Sequence, residues 1–231
     1  MDNKLKNLIS KHYTLEQLDS YLSHLEEYIG TAKLSQNSNL KNTMRSIYEA
    51  ILYMLSTPFF NEYHKKRFEV VGGSSDRTGP EILHLFGPSS NGKTHFFLFA
   101  SKLIAGNTID PLHGERFARD KVEGYTQYFS LYPLIYDDLP SGKWRKGGPT
   151  DLIKNYWDTW FDSKFPHPQL VISSNDRCPN GPLKRRIMEI EFDMKFVKDP
   201  KNTQRFNELL NFDNRIFDIF AKKYIKKLNK A

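Results

Sequence analysis

Eight consecutive residues, Gly87-Pro88-Ser89-Ser90-Asn91-Gly92-Lys93-Thr94, carry the spacing G-x-x-x-x-G-K-[ST]. The pattern suits a chain of phosphates. Two glycines let the backbone turn and approach closely, and successive N–H groups at the start of a helix offer partial positive charge. A lysine reaches the β- and γ-phosphates, and a threonine hydroxyl is a hard oxygen donor for Mg²⁺. The flanks fit. Ile82-Leu83-His84-Leu85-Phe86 reads as a buried strand, and Thr94-His95-Phe96-Phe97-Leu98-Phe99-Ala100 reads as a helix. Strand, loop and helix in that order predict binding of a nucleoside triphosphate through residues Gly87 to Thr94.

Hydrolysis would need further groups. Leu134-Ile135-Tyr136-Asp137-Asp138 is an apolar run that ends in two carboxylates. In open α/β sheets ligands gather at the carboxyl ends of strands. Asp137 would bind Mg²⁺, directly or through water, and Asp138 would polarise the attacking water. The plainer alternative is an acidic turn before Pro140. Leu170-Val171-Ile172-Ser173-Ser174-Asn175 is a second apolar run with a polar end. Asn175 would contact the γ-phosphate or the lytic water, unless it only forms a turn with Asp176. Then comes Leu183-Lys184-Arg185-Arg186-Ile187. Arg185 or Arg186 would place a permanently charged fork on a γ-phosphate, typically that of a neighbouring subunit. The alternatives are a solvated basic turn or a contact to a phosphate backbone.

These groups need a scaffold. Ahead of them, Thr14-Leu15-Glu16-Gln17 has capping-box spacing, and Leu18, Leu22, Leu25 and Ile29 share a helical face that Gly30 would end. Residues 35–39 read as a polar loop. Leu40, Met44, Ile47, Ile51 and Leu55 mark a second helix, ending near Pro58. Residues 1–60 thus form a helical hairpin that packs on the adjoining α/β domain, or that faces a subunit or DNA. Arg67–Val71 reads as a short strand, and Gly72 to Pro80 as a surface loop and boundary. After the first strand, further strands are expected at Tyr125–Phe129, Leu134–Asp137, Gln169–Ser174 and Ile187–Phe192. With helices between them they give an α/β fold, a P-loop core over 61–198 built on a largely parallel sheet. Pro149 to Asp162 suits a helix whose Ile153, Trp157, Trp160 and Phe161 face a core. A basic C-terminal segment, 199–231, reads as two helices, one around Phe206, Leu209 and Leu210, the other from Ile216 to Leu228.

Composition bounds the rest. With 39% hydrophobic residues and one cysteine in 231 residues, the chain can bury a core but holds no internal disulfide. No apolar run approaches membrane-spanning length, and Met1 to Lys6 lack the apolar core of a signal peptide. A cytoplasmic location is expected. The net charge of +7 fits an acidic partner such as nucleic acid, or simply a basic surface. His84 and His95 have no metal-ligand companions, and Cys178 has no partner base.

In order, the phosphate loop, the Asp-Asp strand, the strand ending Ser-Asn and the Arg-Arg before a last strand resemble the ATPase core of superfamily 3 helicases, viral and plasmid replication proteins of the AAA+ type. The resemblance spans roughly residues 81–196. It implies a five-stranded ASCE sheet and a ring, usually a hexamer, with ATP and Mg²⁺ at subunit junctions. Lys93 and Thr94 would then be the first motif, Asp137 and Asp138 the second, Asn175 the sensor, and Arg185 or Arg186 the finger. Such proteins also carry a DNA-contacting loop between the acidic and sensor strands. Ser141-Gly142-Lys143-Trp144-Arg145-Lys146-Gly147-Gly148 lies there, and Lys143, Arg145 and Lys146 would grip phosphates while Trp144 stacks a base of single-stranded DNA. As a departure from the family, no origin-binding, nicking or primase domain is expected within these residues. The expectation is an oligomeric, ATP-driven DNA helicase or translocase of a replication-type system. Its rivals are a non-translocating ATPase switch acting through a replication or defence partner protein, a small-molecule kinase, and a nucleotide-binding module without turnover.

Overall fold

The computed structural model describes residues 12–70, 79–126, 132–145, 147–157, 167–179, 181, 183–197 and 199–228. Helix α1, Leu15–Gly30, starts at the expected capping box: Gln17 N–H donates to Thr14 Oγ1 at 3.2 Å, and Thr14 N–H to Gln17 Oε1 at 2.9 Å. Asn39 caps α2, Leu40–Ser56, through the Asn42 amide at 3.1 Å. Between them β1 is a two-residue strand, Ser35–Gln36, in the stretch read as a polar loop. Helix α3 runs Phe60–Val70. The strand expected at Arg67–Val71 is therefore helical through Val70, and Val71 lies outside the described residues. Three apolar residues in five mimic a strand, but the chain continues the helix begun at Phe60.

Strand β2, Ile82–Phe86, is buried along its whole length and feeds the phosphate loop and α4, Lys93–Ala105. Next come β3 (Leu112–His113), α5 (Arg119–Thr126), β4 (Leu134–Asp137), α6 (Ser141–Arg145), α7 (Gly147–Asn155) and β5 (Leu170–Ser174). A 3₁₀ turn, Lys184–Arg186, leads into β6 (Ile187–Glu191). After it come β7 (Lys195–Phe196), α8 (Pro200–Asn211) and α9 (Ile216–Leu228). Among the described residues β3-β4-β5-β2-β6 form a five-stranded sheet with every neighbouring pair parallel. Strand β5 thus separates the phosphate-loop strand from the acidic strand. A second expected strand is also helical where it is described. Tyr125 and Thr126 end helix α5, and 127–129 lie outside the described residues. The edge strand is instead β3, whose two pairs with Tyr136 and Asp137 leave no apolar run to read.

The period-2 alternation of the strands sorts their side chains onto two faces. Leu83, Leu85, Ile135, Val171 and Ile190 meet α1, α2, α4, α8 and α9 on one face. Ile82, Leu134, Tyr136, Leu170, Ile172 and Ile187 meet Phe117, Val122, Trp144, Ile153 and Trp157 on the other. The N-terminal hairpin and the C-terminal helices therefore share one core with the phosphate-loop helix. Tyr28 stacks on Phe99 at 3.7 Å between ring centroids. His24 accepts from Asn214 Nδ2 and donates from Nε2 to the Leu209 carbonyl, both at 2.9 Å, which fixes a neutral ring. Burial lowers its proton affinity accordingly.

His167 is buried against Tyr156 and Trp157, and desolvation pushes its pKa down to about 4. The folded ring stays neutral where the unfolded one takes up a proton. Stability is expected to fall as pH drops from about 6.5 to about 4, with His167 contributing up to about 3 kcal/mol of the loss. Urea unfolding at pH 7 and pH 4.5 checks this: His167→Phe should lose less stability than wild type across that interval.

Candidate nucleotide site

The loop after β2 is held open by its own side chains and by the segment after β6. Asn91, 2% exposed, donates from Nδ2 to the Phe192 carbonyl at 3.1 Å and accepts the Lys93 amide at 3.2 Å. Phe196 N–H donates to the Ser90 carbonyl at 3.0 Å. Gly87, at φ +152°, passes so close to β6 that a Cβ there would lie 2.4 Å from the Phe192 carbonyl oxygen. That contact is backbone and cannot swing away. Gly87→Ala is expected to cost about 2–4 kcal/mol of stability and to weaken nucleotide binding. Denaturant midpoints and titration with a fluorescent nucleotide read the two effects.

Gly92, at φ +82°, starts α4, so Lys93 and Thr94 stand on its first turn. The Lys93 ammonium, on a residue only 6% exposed, donates to the carbonyls of Gly87 (2.8 Å) and Pro88 (3.3 Å) and to Asn175 Oδ1 (3.2 Å). Burial lowers its pKa, and the nearby Asp137 and Asp138 carboxylates oppose the shift. Thr94 Oγ1 donates to Asp137 Oδ2. Asp138 sits in the turn after β4 at φ +58°, a conformation Asp tolerates better than most residues. Its Oδ1 accepts from Asn175 Nδ2 at 3.4 Å. Lys93, Asn175 and Asp138 are thus one hydrogen-bonded group and Thr94 and Asp137 another, side by side at the carboxyl ends of β2, β4 and β5.

Sequence reasoning missed Ser173. Its hydroxyl donates to Asp137 Oδ1 and accepts the Asp138 amide at 2.9 Å, and its carbonyl accepts the Leu139 amide at 2.7 Å. One buried residue so aims both acids. It lies two positions before Asn175, and its place beside the β4 terminus is what the sheet order reveals.

Arg185 and Arg186 do not join the set. They precede β6, whose Ile187 pairs with Ile82, whereas the phosphate loop follows Phe86, which pairs with Glu191. The four intervening steps are roughly 13 Å of strand. Within one chain the two arginines belong to the opposite end of the sheet.

The segment expected to be a DNA loop is different. Ser141–Arg145 is the short helix α6, and α7 begins at Gly147. Trp144 is 5% exposed, with its ring edge-on to His84 at 5.1 Å, so its indole fills the core and is not free to stack a base. The flanking glycines suggest a mobile turn, but the apolar face beneath it claims the ring. Lys143 Nζ donates to the Glu115 carbonyl at 3.0 Å. Lys146 lies outside the described residues, as do Trp160 and Phe161. Ile153 and Trp157 are buried as expected. Burial raises the Cys178 thiol to about 11, which keeps it protonated.

The donors fit the groups that a phosphate loop serves. A hydroxyl and a carboxylate in contact are hard oxygen ligands suited to Mg²⁺, which keeps several waters and takes the rest from phosphate. Among the described residues no cluster of three or more His, Cys, Asp or Glu is placed to hold a metal by itself. No helix among them is long and apolar enough to cross a membrane.

A solved structure described as "SCCmec type IV Cch - active helicase" is similar at 18% identity with a TM-score of 0.49, over 85% of this chain and 39% of that one. The chain thus spans well under half of that protein's length. No curated protein sequence matches. A family model described as "Aq_aa27 P-loop NTPase domain" matches residues 1–178, a span that holds the phosphate loop, both acids and Asn175 and ends before Arg185. The chain belongs to the Aq_aa27 P-loop NTPase domain family.

Proposed function

We propose that the chain hydrolyses ATP with Mg²⁺ and works on nucleic acid as an oligomer. The observation that carries the proposal is the hydrogen-bonded set that Lys93, Thr94, Asp137, Asp138 and Asn175 form through Ser173. Loop amides and Lys93 would bind the phosphates. Thr94 and Asp137 would hold Mg²⁺, which when bound neutralises charge on the β- and γ-phosphates. The Asp138 carboxylate would accept the proton of the attacking water, and Asn175, already bonded to both Lys93 and Asp138, would register the γ-phosphate. The oligomer rests on the resemblance to superfamily 3 helicases: Arg185 and Arg186 lie at the far end of the sheet from their own site, and a finger there would act on the site of a neighbouring copy.

Burial of Trp144 favours a second reading, a switch that uses nucleotide to control a protein partner, because it removes the aromatic grip on DNA. ATP turnover measured with and without single-stranded DNA separates the two. Turnover that DNA stimulates, and that Arg185→Ala/Arg186→Ala lowers by about 10³-fold, is the expected result. Turnover indifferent to DNA selects the switch. An arginine double variant with full activity would remove the finger and the main argument for an oligomer.

A further inference from the structure

The middle of the phosphate-loop strand holds a polar side chain that the proposed chemistry does not use. His84 is 0% exposed and lies between β5 and β6. Its Nε2 is 2.7 Å from Ser174 Oγ, and its Nδ1 is 3.3 Å from Glu189 Oε1. Trp144 closes the site from α6. Ser174 Oγ donates its only proton to the Asp176 carbonyl at 2.5 Å, closing a turn around Asn175. The oxygen can then only accept, so His84 Nε2 must carry the hydrogen. Glu189 Oε1 also accepts the Cys178 amide at 2.6 Å, which ties the far side of the same turn to β6. The buried imidazole thus holds the Ser174 end of the loop that carries Asn175, and the Cys178 amide on Glu189 holds its far end to β6.

We infer that His84 is a positioning residue for Asn175, acting through the Ser174 hydroxyl and the turn it closes. The inference rests on the proposed role of Asn175 at the nucleotide site. His84 touches neither Lys93 nor the acids. What it sets is where Asn175 holds its amide, between Lys93 Nζ and Asp138 Oδ1. Desolvation lowers the proton affinity of the ring and the Glu189 carboxylate opposes the shift, while Nε2 carries its hydrogen in either protonation state. Glutamine can present an N–H near the position of Nε2, whereas phenylalanine fills the space without a donor.

The test uses full-length protein labelled with ¹⁵N-asparagine. The Asn175 side-chain amide pair is assigned by its loss in Asn175→Ala. His84→Phe and Ser174→Ala should each shift that pair, and His84→Gln should return it close to the wild-type position. With ATP, kcat should fall about tenfold in His84→Phe with KM changed less than about twofold, and recover in His84→Gln. The His84→Phe/Ser174→Ala double variant should be no worse than either single one, since both cut the same path. An Asn175 amide indifferent to His84→Phe and Ser174→Ala overturns the inference, whether or not the protein hydrolyses ATP. An amide that shifts in a protein without turnover retains the brace and sinks the hydrolase reading instead. Should His84→Phe fail to fold, Ser174→Ala and His84→Gln decide the question by the same signal.

Discussion

Lys93→Ala should reduce ATP turnover by at least about 10²-fold, the scale for removing one preorganised donor from developing negative charge. The structure gives a reason to expect more than a lost point charge. The ammonium contacts Gly87 and Pro88 at the start of the loop and Asn175 just after β5. Removing it unlinks the phosphate loop from the sensor strand. Folding should survive, because the ammonium is held against its own desolvation and its loss relieves that penalty. A thermal melt close to wild type beside a lost turnover separates chemistry from folding. A Lys93→Ala protein with wild-type turnover would show that the loop is not the catalytic phosphate site.

Asp138→Asn should lower kcat by about 10²–10⁴-fold, the range for deleting a general base, while nucleotide affinity stays within about twofold of wild type by the equilibrium logic of mutant kinetics. The choice of asparagine matters. Asp138 occupies a left-handed turn at φ +58°, and Asn visits that region as readily as Asp does. The side-chain oxygen that accepts from Asn175 is kept, so only the charge and the proton-accepting capacity change. Asp138→Ala would add backbone strain and blur the result. Equilibrium nucleotide titration beside single-turnover hydrolysis reads the two halves. If binding falls as far as turnover, Asp138 belongs with the metal ligands and not with the water.

The phosphate loop and both acids are legible in the sequence because each ends an apolar run of unambiguous strand type. Asn175 is legible for the same reason. What the sequence hides depends on strands being neighbours. Ser173 aims two carboxylates from an adjacent strand, and His84 meets Glu189 across a register that links residues 105 apart in the chain. Neither relation leaves a local pattern. Strand β3 is invisible because two residues make no periodicity. Trp144 misleads because glycines and cations in its neighbourhood describe a turn, while the burial of an indole is decided by the face it meets. The arginines are legible in order but not in space, since their distance from the phosphate loop comes from parallel strand direction.

The clamp on the phosphate loop has a consequence for synthesis. Asn91 is anchored by a carbonyl 101 residues downstream, and Ser90 by the amide of Phe196. Strand β2 has β6 as one of its two neighbours. A nascent chain that has just exposed its phosphate loop therefore cannot yet shape it, and waits for the last strands to leave the ribosome. Contacts this distant are slow to close. Nucleotide would meet a competent cradle only once Phe192 and Phe196 have emerged, so a translation product stalled before them would not compete for it.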